Sequence, residues 1–313
     1  MKLMAPSYYP RFRCIADKCR HSCCVGWEID VDEASLSRYQ QVKGDMGAQL
    51  QAAIDLSGDT PHFRLGEGER CPFLNQSGLC DLITCLGENS LCQICADHPR
   101  FRHFFEDRTL IGLGLCCEAA GRLILSCTKK VHLITLEDDG AQESLPEEEA
   151  LVLAQLSALT AIAQDRSLSM EARVARLQEI CGADIIAADL PRWAEFMLTL
   201  ERLDERWTQE LMRLQQASGP DAEISAEWAI HFEQLLVYFL YRHMPGALED
   251  GDVQGRLMLS ILSWMVVKRL FLLQEAQTLD ALVETARLYS SEIEYSDDNL
   301  CALLDALDEG GLA

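Results

Sequence analysis

Apolar residues fall into two different patterns along the chain, and the change comes near residue 136. From Pro146 onward they recur every three or four positions, the spacing of a helix face. Pro146 followed by three glutamates predicts a helix start, because carboxylates complement the helix dipole there. Ser169 is a predicted N-cap for a helix that ends at Gly182. Trp193, Phe196, Leu200, Leu203, Trp207, Leu211 and Leu214, beyond Asp189 and Pro191, mark one further helical face. Helices are also predicted over 225–244 (stopped by Pro245-Gly246), 253–274, 278–293 and 297–307. The stretch 253–274 is apolar nearly all round and reads as central. Six or seven helices with no strand–helix alternation predict an all-α bundle.

The first 136 residues lack this long period. Gly, Pro and polar turn signals recur. One helix is predicted from Asp32 through Leu36, Tyr39 and Val42, with Leu50 and Ile54 on a second piece. The apolar run from Leu110 to Leu125 fits either a strand or a helix. The sequence thus predicts a mainly α chain: a cysteine-rich, loop-rich, metal-binding module over 1–136, an acidic linker over 137–149, and a helical bundle over 150–313.

Charge narrows the function. The formal net charge is −23 over 313 residues. That excludes nucleic-acid binding through phosphate neutralisation and docking on anionic lipid, both of which need clustered Lys and Arg. No apolar leader follows Met1. Lys268 and Arg269 interrupt the longest apolar run, so a buried helix is expected there in place of a membrane span. A cytoplasmic location follows, and reducing conditions favour metal or redox use of thiols over disulfides.

Twelve of the fourteen cysteines lie between Cys14 and Cys127. They group as Cys14, Cys19, Cys23 and Cys24; Cys71 and Cys80; Cys92 and Cys95; and Cys116 and Cys117. Three readings fit such grouping: an iron–sulfur cluster on four thiolates, structural zinc, or a redox-active pair. The C-x2-C of Cys92 and Cys95 serves all three. The redox pair usually wants a strand–helix context, and adjacent Cys23 and Cys24 are unusual for a zinc knuckle. Cys181 and Cys301 sit at helical positions and read as core residues.

Four ordered blocks, CIADKCRHSCCVGWEIDVDEASLSRY, CPFLNQSGLCDLI, LGENSLCQICADHPR and CCEAAGRLIL, resemble the flagellin lysine-N-methylase family and the related zinc- or iron-chelating cysteine-rich proteins. The resemblance implies a methyltransferase that moves a methyl group from S-adenosylmethionine to lysine side chains of a flagellin-like protein and carries an iron–sulfur cluster, most simply 4Fe-4S. It also implies metal-binding roles for Cys14, Cys19, Cys23, Cys24, Cys71, Cys80, Cys92, Cys95 and Cys116. Cys117 stands where the family has proline, and His98 where it often has tyrosine. Cys85 and Cys127 have no family counterpart.

Nine matched thiols exceed the four a single cubane needs. Glu118 and His98 are the candidate catalytic groups, with Glu88 and Asp97 the other carboxylates near thiols. Arg100 and Arg102 are candidates to clamp a cofactor carboxylate. His21 and Trp27 read as structural. No Gly-rich strand-to-helix fingerprint for a nucleotide is present. The alternatives are a zinc-stabilised protein-interaction module and an iron–sulfur redox or electron-transfer protein.

Overall fold

The computed structural model describes residues 1–141, 144–182, 190–219 and 222–308. Expected linker positions 142 and 143, Asp189, and the final five residues of the expected bundle lie outside the described residues. The chain forms two compact units: Arg13–Phe101, and Met1–Phe12 together with Arg102–Ala313. The division therefore does not fall at the acidic segment 137–149. Residues 102–136 belong with Met1–Phe12 because two of their strands pair directly with the N-terminal strand.

Strand β1 (Lys2–Pro6) opens the chain. The Arg13–Phe101 unit then holds α1 (Glu33–Tyr39), α2 (Gly44–Ala53), the short pair β2 (Ile54–Asp55) and β3 (His62–Phe63), α3 (Asp81–Leu86) and α4 (Gln93–Asp97). Asp32 caps α1 by accepting the Ser35 amide at 2.9 Å. Around this loop-rich frame Ile29, Val31, Tyr39, Leu50, Phe63, Phe73 and Leu82 form a small core, and Cys71 and Cys92 are buried within it. Phe63 meets Phe73 edge-on at 5.0 Å and Tyr39 at 6.1 Å, a compact aromatic centre for a module poor in long helices.

Strands β4 (Arg100–Phe104), β5 (Arg108–Leu113) and β6 (Leu133–Asp138) join β1 in one sheet of order β4-β5-β1-β6. β1 pairs with β5 in parallel, Lys2 opposite Arg108, and with β6 antiparallel, Pro6 opposite Leu133. The sequence reading missed this sheet. The run from Leu110 to Leu125 proves to be both alternatives in succession: β5 ends at Leu113, and α5 (Glu118–Leu125) begins four residues after Gly114.

The remaining helices are α6 (Glu147–Ala163), α7 (Met170–Cys181), α8 (Leu190–Met197), α9 (Glu205–Gln215), α10 (Ala229–His243), α11 (Ala247–Asp250), α12 (Val253–Leu272), α13 (Leu279–Tyr289) and α14 (Asp297–Asp308). They outnumber the six or seven expected. The apolar face from Trp193 to Leu214 belongs to two helices, not one, because the chain breaks between Met197 and Glu205 and Asp204 starts a new cap. Ser169 caps α7, and Gly182 ends it with a left-handed φ of 68°. α12 is buried along most of its length, as its uniform apolarity predicts, with Trp264 and Phe271 against Phe232 of α10. A single π-turn, Ser290–Glu294, follows α13 where one helix was expected to continue to 293. No described helix is long and apolar enough to cross a membrane.

Candidate functional site

All fourteen cysteines are free thiols. In the Arg13–Phe101 unit five of them share one neighbourhood. Cys71 and Cys92 lie in the core, and Cys24, Cys80 and Cys95 pack against it from its edge. The chain brings them there by three devices. The Cys71 amide donates to the Cys24 carbonyl at 2.8 Å, tying the first block to the second. Leu74 bridges to Cys80, closing the second block on itself. Cys92 occupies the N-cap position of α4, so Cys95 falls one turn later beside it.

Each sulfur feels the others. A hydrogen bond from Cys23 lowers the Cys24 thiol to about 7, against the pull of burial, with help from Ser22 and Arg70. Burial pushes Cys71 up to about 12, and Cys24, Cys80 and Cys92 add to the push. Cys80 is raised by burial with a contribution from Cys24. Cys92 and Cys95 are hydrogen-bonded to each other: that bond lowers Cys92 and raises Cys95, which Cys24 and Cys71 raise further. Cys71, Cys80 and Cys95 hold their protons because burial and neighbouring sulfurs disfavour further thiolates in one low-dielectric space. A soft cation would reverse that balance, releasing protons as it bound.

The donors therefore suit a thiophilic metal in chemistry. They do not form a finished coordination shell: among the described residues no three His, Cys, Asp or Glu side chains are arranged to hold a metal ion. The sequence-matched thiols also divide. Cys14 is exposed and accepts the Ala16 amide at 3.4 Å, while Cys19 donates to the His21 carbonyl at 3.0 Å. Cys23 is exposed and joins the set through Cys24.

Cys116 lies in the other unit, with different neighbours. It is hydrogen-bonded to Tyr295, and burial raises its thiol to about 12. Tyr295 is 45% exposed overall, yet its hydroxyl turns inward: a Cβ on Gly114 would stand 2.2 Å from it. Behind it the π-turn presents Glu294, buried, which accepts the Tyr238 hydroxyl at 2.8 Å. His243 Nε2 lies 3.2 Å from Glu294 Oε1 without the alignment of a hydrogen bond. Arg242 donates to the Glu294 carbonyl at 3.1 Å and lies 5.5 Å over the Tyr295 ring. Burial alone would raise Glu294, but His243 and Arg242 hold it below the ordinary carboxylate range. Sequence reading found Cys116 and missed the rest, since neither a π-turn nor a partner more than a hundred residues away leaves a local signal.

The other sequence candidates are spread over both units. Glu118 sits in the first turn of α5, where a carboxylate faces the helix N-terminus. His98 is pushed down to about 4 by burial and by Arg100, with the Trp27 ring 6.3 Å away. Arg100 donates to the Ala96 carbonyl at 3.2 Å, fastening the end of α4. Arg102 stands on β4. Asp97 accepts the Gln93 side-chain amide at 2.7 Å, and Glu88 opens a short 3-10 turn.

A free-thiol cluster on a small mixed core, and a helical unit with a buried carboxylate network, define a two-unit, thiol-rich helical protein. Comparison with known proteins is more specific. The FliB lysine N-methylase C-terminal domain family matches residues 142–313, more than half of the chain. The chain belongs to that family. It is also 28% identical over 128 residues to a lysine-N-methylase of Salmonella typhimurium, a match covering 38% of this chain and 31% of that protein. The lysine-N-methylase of Salmonella choleraesuis is 29% identical over 129 residues, again 38% and 31%. The flagellar biosynthetic protein FliU of Salmonella muenchen is 28% identical over 129 residues, 38% of this chain and 75% of that protein. The matched stretch thus spans about a third of the two methylases. No solved structure matches the chain.

Proposed function

We propose that this protein methylates lysine side chains of a flagellin-like protein with S-adenosylmethionine, and that its N-terminal thiols carry an iron–sulfur cluster. Membership of the FliB lysine N-methylase family supports the reaction. The gathering of Cys24, Cys71, Cys80, Cys92 and Cys95 about one small core supports the cluster site. The name of the FliU relative supports a flagellar substrate.

The chemistry sets the demands. A lysine amine has a reference pKa of about 10.4 and is protonated near neutrality. It must lose that proton before its lone pair attacks the methyl carbon. The new N–C bond then forms as the C–S bond of the sulfonium breaks, and S-adenosylhomocysteine leaves as a neutral thioether. This displacement is mainly a matter of alignment and of a dry, low-dielectric site. A cluster bound here would supply a Lewis-acidic or redox-active iron. This chain's thiols would hold it: Cys71 and Cys92 from the core, with Cys24, Cys80 and Cys95 at its edge. Arg100 would keep α4 closed beneath Cys92 and Cys95.

The deciding experiment is anaerobic purification of the full chain, with iron, sulfide and zinc quantified per chain, followed by assay with labelled S-adenosylmethionine and flagellin. Iron and sulfide with label on lysine are expected. Zinc without transfer favours a zinc-stabilised interaction module. A cluster without transfer favours a redox protein.

A further inference from the structure

The residues around Cys92 are tied to a helix more than fifty positions earlier in the chain. Both oxygens of the Asp32 carboxylate are engaged. Oδ1 accepts the Ser35 amide at 2.9 Å, the ordinary N-cap bond of α1. Oδ2 accepts the Ser35 hydroxyl at 2.7 Å and also the backbone amide of Gln93 at 2.8 Å. Gln93 is the first residue of α4 and the immediate successor of Cys92. Two further bonds run the same way. Arg38 Nη2 donates to the Leu91 carbonyl at 3.0 Å, and the Tyr39 hydroxyl donates to the Ser90 carbonyl at 2.7 Å.

Helix α1 and its cap thus hold Ser90, Leu91 and Gln93, which bracket Cys92 on both sides. A five-residue helix such as α4 has too few internal bonds to hold its own position. An external anchor at its first amide fixes the turn that sets Cys95 beside Cys92. A simple cap needs only the Ser35 contacts; the Gln93 contact lies outside that motif and does nothing for α1.

We infer that Asp32 is a positioning residue for the Cys92–Cys95 thiol pair, bolting the start of α4 to α1 so that the two sulfurs stay in bonding range of each other. This deepens the reading of those thiols as the chemical site, but it concerns the sulfur atoms alone and is measurable without metal.

The test reads how readily the pair closes. The full chain is equilibrated with chelator in glutathione redox buffers, alkylated, and the Cys92–Cys95 peptide quantified by mass spectrometry. Closing it removes two electrons and two protons from the dithiol, forming one S–S bond, while one glutathione disulfide is reduced to two thiols. Variants are Asp32→Ala, which removes the Gln93 tie together with the α1 cap and leaves the Arg38 and Tyr39 bonds, and Ser35→Ala, which weakens the α1 cap and leaves Gln93 tied. Asp32→Ala is expected to make the disulfide about tenfold less favourable, raising the midpoint potential by about 30 mV, with Ser35→Ala within about threefold of wild type. Equal shifts in both variants, no shift in Asp32→Ala, or a wild-type pair that does not close overturns the inference. Absence of metal from the wild type would fail the cluster reading and leave this result intact.

Discussion

The Tyr238 hydroxyl donates to Glu294 Oε2 at 2.8 Å and accepts the Leu115 amide at 3.2 Å, so one oxygen joins the π-turn to the loop that carries Cys116. Removing it with Tyr238→Phe leaves a buried carboxylate oxygen and a buried amide without that partner. The expected loss is about 3 kcal/mol in urea unfolding, the combined penalty of two stranded polar groups. A loss below about 1 kcal/mol would show that the carboxylate is held by its other neighbours alone.

Gly114 is required by the same arrangement. A Cβ there would meet the Tyr295 hydroxyl at 2.2 Å and two ring carbons at 3.0 Å. Gly114→Ala is expected to destabilise by about 2 kcal/mol through overpacking, and adding Tyr295→Ala should recover most of the clash. Additive effects in that double-mutant cycle would place the Tyr295 ring elsewhere.

The thiols should differ sharply in reactivity. Cys24, near 7, ionises in neutral buffer, whereas Cys71, near 12, stays protonated and buried. In metal-free native protein Cys24 is expected to alkylate at least about a hundredfold faster than Cys71 at pH 8, since the thiolate is the nucleophile. In denaturant the two rates should converge. Peptide mapping after timed iodoacetamide labelling gives both, and equal native rates would remove the electrostatic description of the cluster.

His98 makes stability depend on pH. Its ring accepts a proton only near pH 4 in the folded chain, against about 6.5 when unfolded. Between those values the unfolded state binds the extra proton, so stability falls as pH drops through the window and is fully present above it. His98→Asn should flatten the decline, by about 3 kcal/mol at most between pH 7 and pH 4. Parallel stability profiles of variant and wild type would show that His98 stays hydrated in the fold.

Much of the helical half was legible in the sequence because its cues are local. Ser169 and Gly182 bound α7, and Pro146 with three glutamates starts α6 one residue on. The two helices read as one from Trp193 to Leu214 show the limit: apolar spacing continued in phase across a break it did not encode. The sheet escaped because β1 is only five residues long and its partners begin at Arg108 and Leu133. No short window contains such a pairing.

For the thiols, sequence spacing determined the groups. It placed Cys181 and Cys301 on helices as core residues, which holds for the buried Cys181 and fails for Cys301, exposed on α14. Only the tertiary structure decided which groups meet. It drew Cys24, Cys71, Cys80, Cys92 and Cys95 to one core, left Cys14 exposed, and set Cys116 beside Tyr295. The physical reason is that local spacing fixes direction over a turn or two, whereas convergence depends on loop closures and backbone bonds, such as Cys71 to Cys24 and Gln93 to Asp32, between residues far apart in the chain.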